Sequence, residues 1–541
     1  MTLRAGTRAW QIPAVLIAAL MLLPIAVAVG SVFTPAGEVW SHIAEFVLPR
    51  VVANTVWLTV SVALTTLLLG AAAAWLTATC EFPGRRWLGW ALLLPLAMPG
   101  YVIAFALTGI FEYGAPLSSY LRESLAVELP RFSAGVASTI CLSLTLYPYV
   151  YLLARQAFLT QGIRSLEVAQ SLGMTRRRGF FRVALPMARP WLAAGVALVC
   201  METLADFGTV KVFNFDTFTT AIYSAWFGLF SLTAALQMSV MLLVLVLVAL
   251  TLEYRFRGKA RYTSAGSAAN APRMQLSGGA RIAASGFCLL LFALAFAAPV
   301  SQLVFWAWNS LAGEWGARYL EYFRASLLLS LASAGLVTLM AVMLGYSERR
   351  APGVITRWSA RVATLGYALP GTVLAVGFFV VVAGAGHALT AMAGWLAPGR
   401  GVTITLTGTL LVMLLAYSAR FMAVAYGPLG SAFERITPRV DDAARGLGVT
   451  GAQLLRRVHL PMLRGGIATA ALLVFVDVMK ELPITLITRP FGWDTLAVRI
   501  FQMTTEGEWQ RAAIPALAIV AAGLAPVIWL HRRSHGANGH A

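Results

Sequence analysis

The sequence predicts an all-α integral membrane protein of about twelve transmembrane helices, arranged as two parallel six-helix repeats. Three observations predict it. Hydrophobic residues make up 59% of the 541-residue chain and charged residues only 12%, with a mean hydropathy of +0.76, against roughly a quarter charged in soluble domains. Twelve apolar runs have the ~20 residues that a spanning helix requires. The second half also repeats motifs of the first in register.

The apolar runs begin near residues 10, 54, 88, 134, 190, 228, 282, 324, 360, 402, 465 and 511. The first follows Met1–Arg8 and resembles a secretory signal, but it extends about 22 residues, longer than a typical signal core, and reads as an uncleaved span. The net charge of +19 does not point to nucleic acid, because the basic residues alternate between loops instead of gathering on one solvated face. With the N-terminus inside, cytoplasmic segments hold 30 of the 41 Lys and Arg, among them Arg85, Arg86, Arg176–Arg178, Arg349 and Arg350. That asymmetry follows the positive-inside rule and places both termini in the cytoplasm. Cys80, Cys141, Cys200 and Cys288 fall in or beside separate spans without Cys-x-x-Cys spacing, so no disulfide framework or zinc site is expected, and no metal ligand set is assigned.

Met98-Pro99-Gly100 aligns with Leu369-Pro370-Gly371 at an offset of 271, and residues 165–187 align with 440–462 at an offset of 275. Equivalent motifs are six spans apart, an even number, so the halves share one orientation and are related by an axis along the membrane normal. Residues 1–260 form the first half and 282–541 the second. The Gly-, Ser- and Ala-rich stretch 261–281 reads as a cytoplasmic linker.

Residues 163–186 and 438–461 are duplicated, moderately polar and cytoplasmic by this topology. Each reads as a helix, a break and a second helix. Thr437 stands at a cap position with Pro438 in the first turn. Gly173 and Gly448 stand where a left-handed C-terminal cap is needed, and Thr175 and Thr450 follow as caps of the second helix. Pro186 and Pro461 are expected to end that helix. A rigid helix-turn-helix leaving a membrane domain suits force transmission to a soluble partner. The pattern of an acid, x, Ala, then Gly, then Leu-Pro ending thirteen residues later resembles the EAA loop of binding-protein-dependent ABC importer permeases. The resemblance implies that Glu167, Ala169, Gly173, Leu185 and Pro186, with Asp442, Ala444, Gly448, Leu460 and Pro461, form the contact with an ATP-binding subunit. Val168 departs from the pattern's Ala, and Asp442 from its Glu.

The chain has no phosphate-binding loop of its own, since Lys211, Lys259 and Lys480 are its only lysines and none lies in a Gly-x-x-x-x-Gly-Lys-Ser/Thr context. ATP is therefore expected to be used by a partner present in two copies, one per loop, with no cofactor on this chain. The resemblance further implies a periplasmic substrate-binding protein and a place in the bacterial inner membrane.

With the fifth span starting near Pro190, Glu202 and Asp206 lie ~18 Å and ~24 Å along the helix at 1.5 Å per residue, in the outer half. Their i,i+4 spacing puts them on one face, and Asp477 and Glu481 repeat it in the eleventh span. Two readings stay open: a carboxylate-lined path for a cation, and a packed polar interface in which Lys480 pairs with Asp477 or with the opposite span. Pro99-Gly100 and Pro370-Gly371 interrupt the third and ninth spans, as a path, hinge or packing kink would require. METLADFGTV with FDTFTTAIYSAWFG, and VDVMKELPITLITRPFGWDTLAVRIFQ, resemble the fused two-half permeases of ferric-iron importers. Thiamine and polyamine permeases share that fold and loop. A proton-coupled secondary transporter would lack the paired loops, and the Asp-Arg signature of major facilitators is absent. No nucleophile-base set or HExxH motif supports an enzyme.

Overall fold

The computed structural model describes residues 9–35, 37–111, 115–126, 132–257, 273–314, 317–396 and 402–536. Most of the linker, residues 261–272, and the terminal residues 1–8 and 537–541 lie outside these. Among the described residues, ten helices are long and apolar enough to cross a membrane, and the bent pair Arg85–Ala97 and Gly100–Phe111, at 99°, makes an eleventh. The twelfth expected span falls on the helix Trp509–Gly536, which is not among those eleven.

The helix Leu48–Thr79 shows how the sequence builds a span. Val51, Thr55, Leu58, Val62, Thr66, Gly70 and Ala73 recur every three or four residues and are buried, while Val60, Leu64 and Leu68 on the other side are exposed, as a lipid-facing stripe must be. Gly70 is required by packing: a Cβ there would lie 2.8 Å from the Val150 Cβ and 2.9 Å from the Tyr147 carbonyl oxygen. The hydroxyls of Thr55 and Thr66 turn back to the carbonyls of Val51 and Val62, satisfying themselves without water.

Two compact units are formed. One comprises Met1–Trp40, Ile222–Leu243 and Gly316–Arg499; the other comprises Ser41–Ala221, Val244–Trp315 and Ile500–Ala541. Within the first, helix Gln11–Gly30 packs on Gly371–Leu396, where Gly377 lies so close to Pro24 that a Cβ would be 2.6 Å from its Cβ. Within the second, helix Ala298–Glu314 packs on Gly100–Phe111, and a Cβ on Gly109 would lie 2.0 Å from the Trp306 ring. Each unit thus joins the middle of one sequence repeat to the leading helix of the other, so repeat and packed unit divide the chain differently. Gly109→Ala is expected to reduce membrane-inserted protein severalfold, because overpacking a tight site costs about 1–3 kcal/mol; immunoblotting of the membrane fraction checks it.

Three local expectations are corrected. The ninth span starts at Gly371, not near 360: the amphipathic helix Val354–Thr364 and a 3-10 turn, Leu365–Ala368, precede it. Pro186 and Pro461 do not end the helices before them. A wide π-type turn, Phe180–Ala184 or Leu455–His459, immediately precedes each proline pair and absorbs the missing N–H and the ring's clash, so each loop runs unbroken into its span. Asp206 and Glu481 lie just past the ends of the helices Leu185–Ala205 and Leu460–Met479, not within regular spans as expected.

The described end of the linker is pinned: Met274–Gln275 pairs in parallel with Cys80–Glu81, and the Ser285 hydroxyl donates to the Pro83 carbonyl.

Candidate functional site

In the first loop the helix Ile163–Ser171 ends at Gly173 with φ of +80°, and in the second the helix Pro438–Gly446 ends at Gly448 with φ of +78°. The Met174 amide donates to the Ala169 carbonyl and the Gly173 amide to Gln170; Val449 and Gly448 donate identically to Ala444 and Arg445, all at 2.9–3.0 Å. These pairs of crossed bonds satisfy the orphan carbonyls of a helix end and turn the chain sharply. A Cβ on either glycine would meet nothing within 4 Å, so the backbone angle, not space, selects glycine.

Ala169 and Ala444 face inward at 2% and 7% exposure. Glu167 and Asp442 are exposed, Asp442 pairing with Arg445 at 2.8 Å. Val168, Leu172 and Leu447 are also exposed, at 59%, 73% and 83%, which gives each tip an apolar contact surface flanked by an acid. Thr175 accepts from the Arg178 amide at 3.4 Å, whereas Thr437 and Thr450 hold the cap position without a side-chain bond. Leu185-Pro186 and Leu460-Pro461 begin the regular part of the following spans.

The second loop carries a group that the sequence reading passed over. Asp441 accepts from Arg349 at 3.0 and 3.1 Å and lies 2.8 Å from the Nε2 of buried His459. Burial pushes the Asp441 carboxyl up, but the Arg349 and His459 bonds and charges together outweigh it and hold the group below the usual carboxylate range. The stabilisation is therefore present above the ordinary carboxylate pKa and is lost only as pH falls through the lowered value.

The other predicted residues meet at two matching helix breaks. In one unit, the Asp206 carboxylate accepts from the Thr209 hydroxyl at 2.9 Å and the Val210 amide at 3.1 Å, capping the short helix Gly208–Val212. In the other, buried Glu481 accepts from the Ile484 amide at 3.0 and 3.1 Å and the Thr485 amide at 3.2 Å, capping Pro483–Thr488. Each carboxylate also lies against the Pro-Gly break of its unit: a Cβ on Gly100 would be 2.5 Å from the Thr209 Oγ1 and 3.6 Å from Asp206, and one on Gly371 would be 2.9 Å from Glu481. Pro99 and Pro370 immediately precede the helices that start there. An acid between two helix N-termini satisfies orphan N–H groups and complements both dipoles.

The second break carries more. Arg420, whose charge acts on Glu481, donates to the Leu369 carbonyl at 2.6 Å, and the Tyr417 and Thr485 hydroxyls are 2.5 Å apart. Asp477 and Lys480 form an ion pair at 2.8 Å. Glu202 is half-buried on its helix, and its charge acts on Asp206. Among the described residues, no three or more His, Cys, Asp or Glu side chains come together as a metal site.

Over 90% of both chains the protein is 26% identical to the Fe(3+)-transport system permease protein FbpB 2 of Haemophilus influenzae. It is 25% identical to the probable ABC transporter permease protein y4fN of Sinorhizobium fredii, over 89% of this chain and 87% of that one. A shorter region, 25% of this chain and 48% of the relative, is 31% identical to the sulfate transport system permease protein CysT of Salmonella typhimurium. The profile of the family described as "Binding-protein-dependent transport system inner membrane component" matches twice, over residues 66–262 and 337–535, each match containing one of the two duplicated loops and one capped break. With both halves of the sequence repeat accounted for, the chain belongs to that family and is a fused, two-half permease.

Proposed function

We propose that this permease moves ferric iron from a periplasmic binding protein into the cytoplasm, driven by two copies of a separate ATP-binding subunit docked on its two loops. The observation that carries the coupling part is the duplicated loop itself, with the same left-handed glycine and the same pair of crossed bonds in both copies. Because each loop continues without interruption into a spanning helix, a displacement at its tip is delivered to the membrane. The loops define the cytoplasmic side, and the halves 1–260 and 282–541 each supply one. Each unit supplies its own pathway candidates near its capped break: Glu202 with Asp206 in one, and the Asp477–Lys480 pair with Glu481 in the other. Asp206 and Glu481 already hold backbone amides, so their part is to keep the broken helices in place while Glu202 supplies charge.

Iron as the substrate rests on similarity to the Haemophilus influenzae ferric permease across 90% of both chains. The sulfate permease relative and the 2-aminoethylphosphonate permease relative cover only about a quarter of this chain. Reconstitution in liposomes with the cognate ATPase and binding protein separates these substrates. Radioactive ferric iron is expected to accumulate only with ATP and binding protein present, without competition from sulfate, 2-aminoethylphosphonate, thiamine or spermidine. Accumulation of one of those solutes in place of iron overturns the substrate assignment. The purified permease alone is expected to show no ATP hydrolysis above a protein-free blank, since it supplies no phosphate-binding loop; turnover in a preparation free of other subunits refutes the division of labour.

A further inference from the structure

The two coupling loops occupy equivalent places in the repeats but rest in chemically different seats. In the first, Trp75 meets Phe158 edge-on at 5.1 Å and Phe180 at 4.5 Å, and Ala78, Leu166 and Ala184 are buried. At the offsets of 271 and 275, Trp75 is replaced by Tyr346, Ala78 by Arg349, Leu166 by Asp441 and Ala184 by His459. An apolar seat in one repeat has become an ionic, hydrogen-bonded seat in the other.

The second seat is organised by Arg349. Its guanidinium holds both Asp441 oxygens and also donates to the carbonyls of Phe433 at 3.3 Å, Ile436 at 2.7 Å and Thr437 at 3.4 Å. Those carbonyls lie at and just beyond the end of helix Leu410–Glu434, where Phe433 and Thr437 also accept from the Ile436 and Val440 amides at 3.1 Å. The helix Ala317–Arg350, which bears Arg349 at its end, also carries Tyr346, whose hydroxyl donates to the Gly451 carbonyl in the second part of the loop, and Glu348, which accepts from Tyr426 of helix Leu410–Glu434. Arg349, Asp441 and His459 are 17%, 12% and 1% exposed, so water competes little for these bonds. A guanidinium and carboxylate joined by two bonds fix direction as well as distance, whereas aromatic and aliphatic contacts allow many orientations of similar energy.

We propose that Arg349 is the positioning residue of the second coupling loop, locking helix Pro438–Gly446 to the ends of Ala317–Arg350 and Leu410–Glu434 as one body, while the first loop pivots on its apolar seat. This rests on the reading of the loops as the ATPase contact. The two bound subunits then do unequal work, the second loop driving the spans and the first following.

The test uses the full permease in detergent and in liposomes, with Arg349→Gln, Arg349→Lys and Asp441→Asn. Amide hydrogen exchange of the permease alone is expected to quicken at residues 443–449 in all three variants and to stay unchanged at 168–174. In the assembled importer the ATPase still co-purifies and hydrolyses ATP, but substrate uptake per ATP falls by about tenfold, the loss expected from one charged two-point contact. Lysine does not rescue, because an ammonium cannot make the two parallel bonds. Wild-type exchange at 443–449 together with wild-type uptake per ATP in Asp441→Asn overturns the proposal, and that variant decides the question alone should Arg349→Gln fail to insert. Failure of the ATPase to bind the unaltered permease would instead refute the coupling reading, and the exchange experiment would still judge the clamp.

Discussion

Replacing Gly173 and Gly448 together by proline is expected to abolish capture of the ATP-binding subunit while leaving the membrane helices inserted. The two glycines sit at φ of +80° and +78°, and proline is fixed near −65°. Proline also lacks the N–H that Gly173 gives to Gln170 and Gly448 gives to Arg445. Nothing lies within 4 Å of where a Cβ would be, so the substitution removes the turn without overpacking anything around it. The turn orients the exposed tips, Leu172 and Leu447, relative to Glu167 and Asp442; losing it dismantles both contact surfaces at once. Alanine tests the cause in graded form: it can adopt the left-handed conformation at a cost of about 1–2 kcal/mol, so the double alanine variant should bind the ATPase roughly tenfold more weakly without losing it. Affinity co-purification from membranes, with inserted permease quantified in parallel, reads both. Unchanged complex yield and unchanged uptake in the double proline variant would sink the coupling assignment.

The loops were legible because their geometry is local. A glycine after a run of helix-forming residues, an apolar residue behind it and a capping threonine specify a turn within a dozen residues, and both copies fold that way. The prolines misled for a related reason: proline normally ends a helix, and whether a π-type turn will absorb it depends on packing around residues 180–184 and 455–459. Helix ends inside the membrane were harder still, because hydropathy does not mark them. Yet Glu481-Leu482-Pro483-Ile484-Thr485 does carry a signal, an acid followed by proline in the first turn of a new helix, and Asp206 with Thr209 is its counterpart. What no local pattern contains is the meeting of Gly100 with Asp206, of Gly371 with Glu481, or of Arg349 with Asp441. Nor does a repeat in the sequence say that its leading helix packs in the other compact unit, since an apolar stripe of Leu and Ala fits many partners.

Glu481→Ala and Glu202→Gln are expected to fail in opposite ways. Removing the Glu481 carboxylate leaves the buried amides of Ile484 and Thr485 without their acceptor and takes the facing charge away from Arg420, itself buried in helix Leu410–Glu434. Each orphaned buried N–H costs about 1–3 kcal/mol and an uncompensated charge more. Against a total stability on the order of 5–15 kcal/mol, the inserted protein should fall several-fold and its unfolding temperature should drop. Glu481→Gln keeps one carbonyl oxygen at the cap and should lie between the two. Glu202 is different: it sits half-buried on the helix Leu185–Ala205, and its charge acts on Asp206 across one turn. Neutralising it with an isosteric amide removes charge from beside the proposed route without opening a cavity, so abundance and melting should match the unaltered protein while binding-protein-dependent iron uptake falls by about tenfold, the worth of one weakened charge contact. Quantitative immunoblotting, thermal unfolding in detergent and uptake in liposomes distinguish the cases. Normal accumulation and melting of Glu481→Ala would refute the capping role, and normal uptake by Glu202→Gln at normal abundance would remove Glu202 from the route.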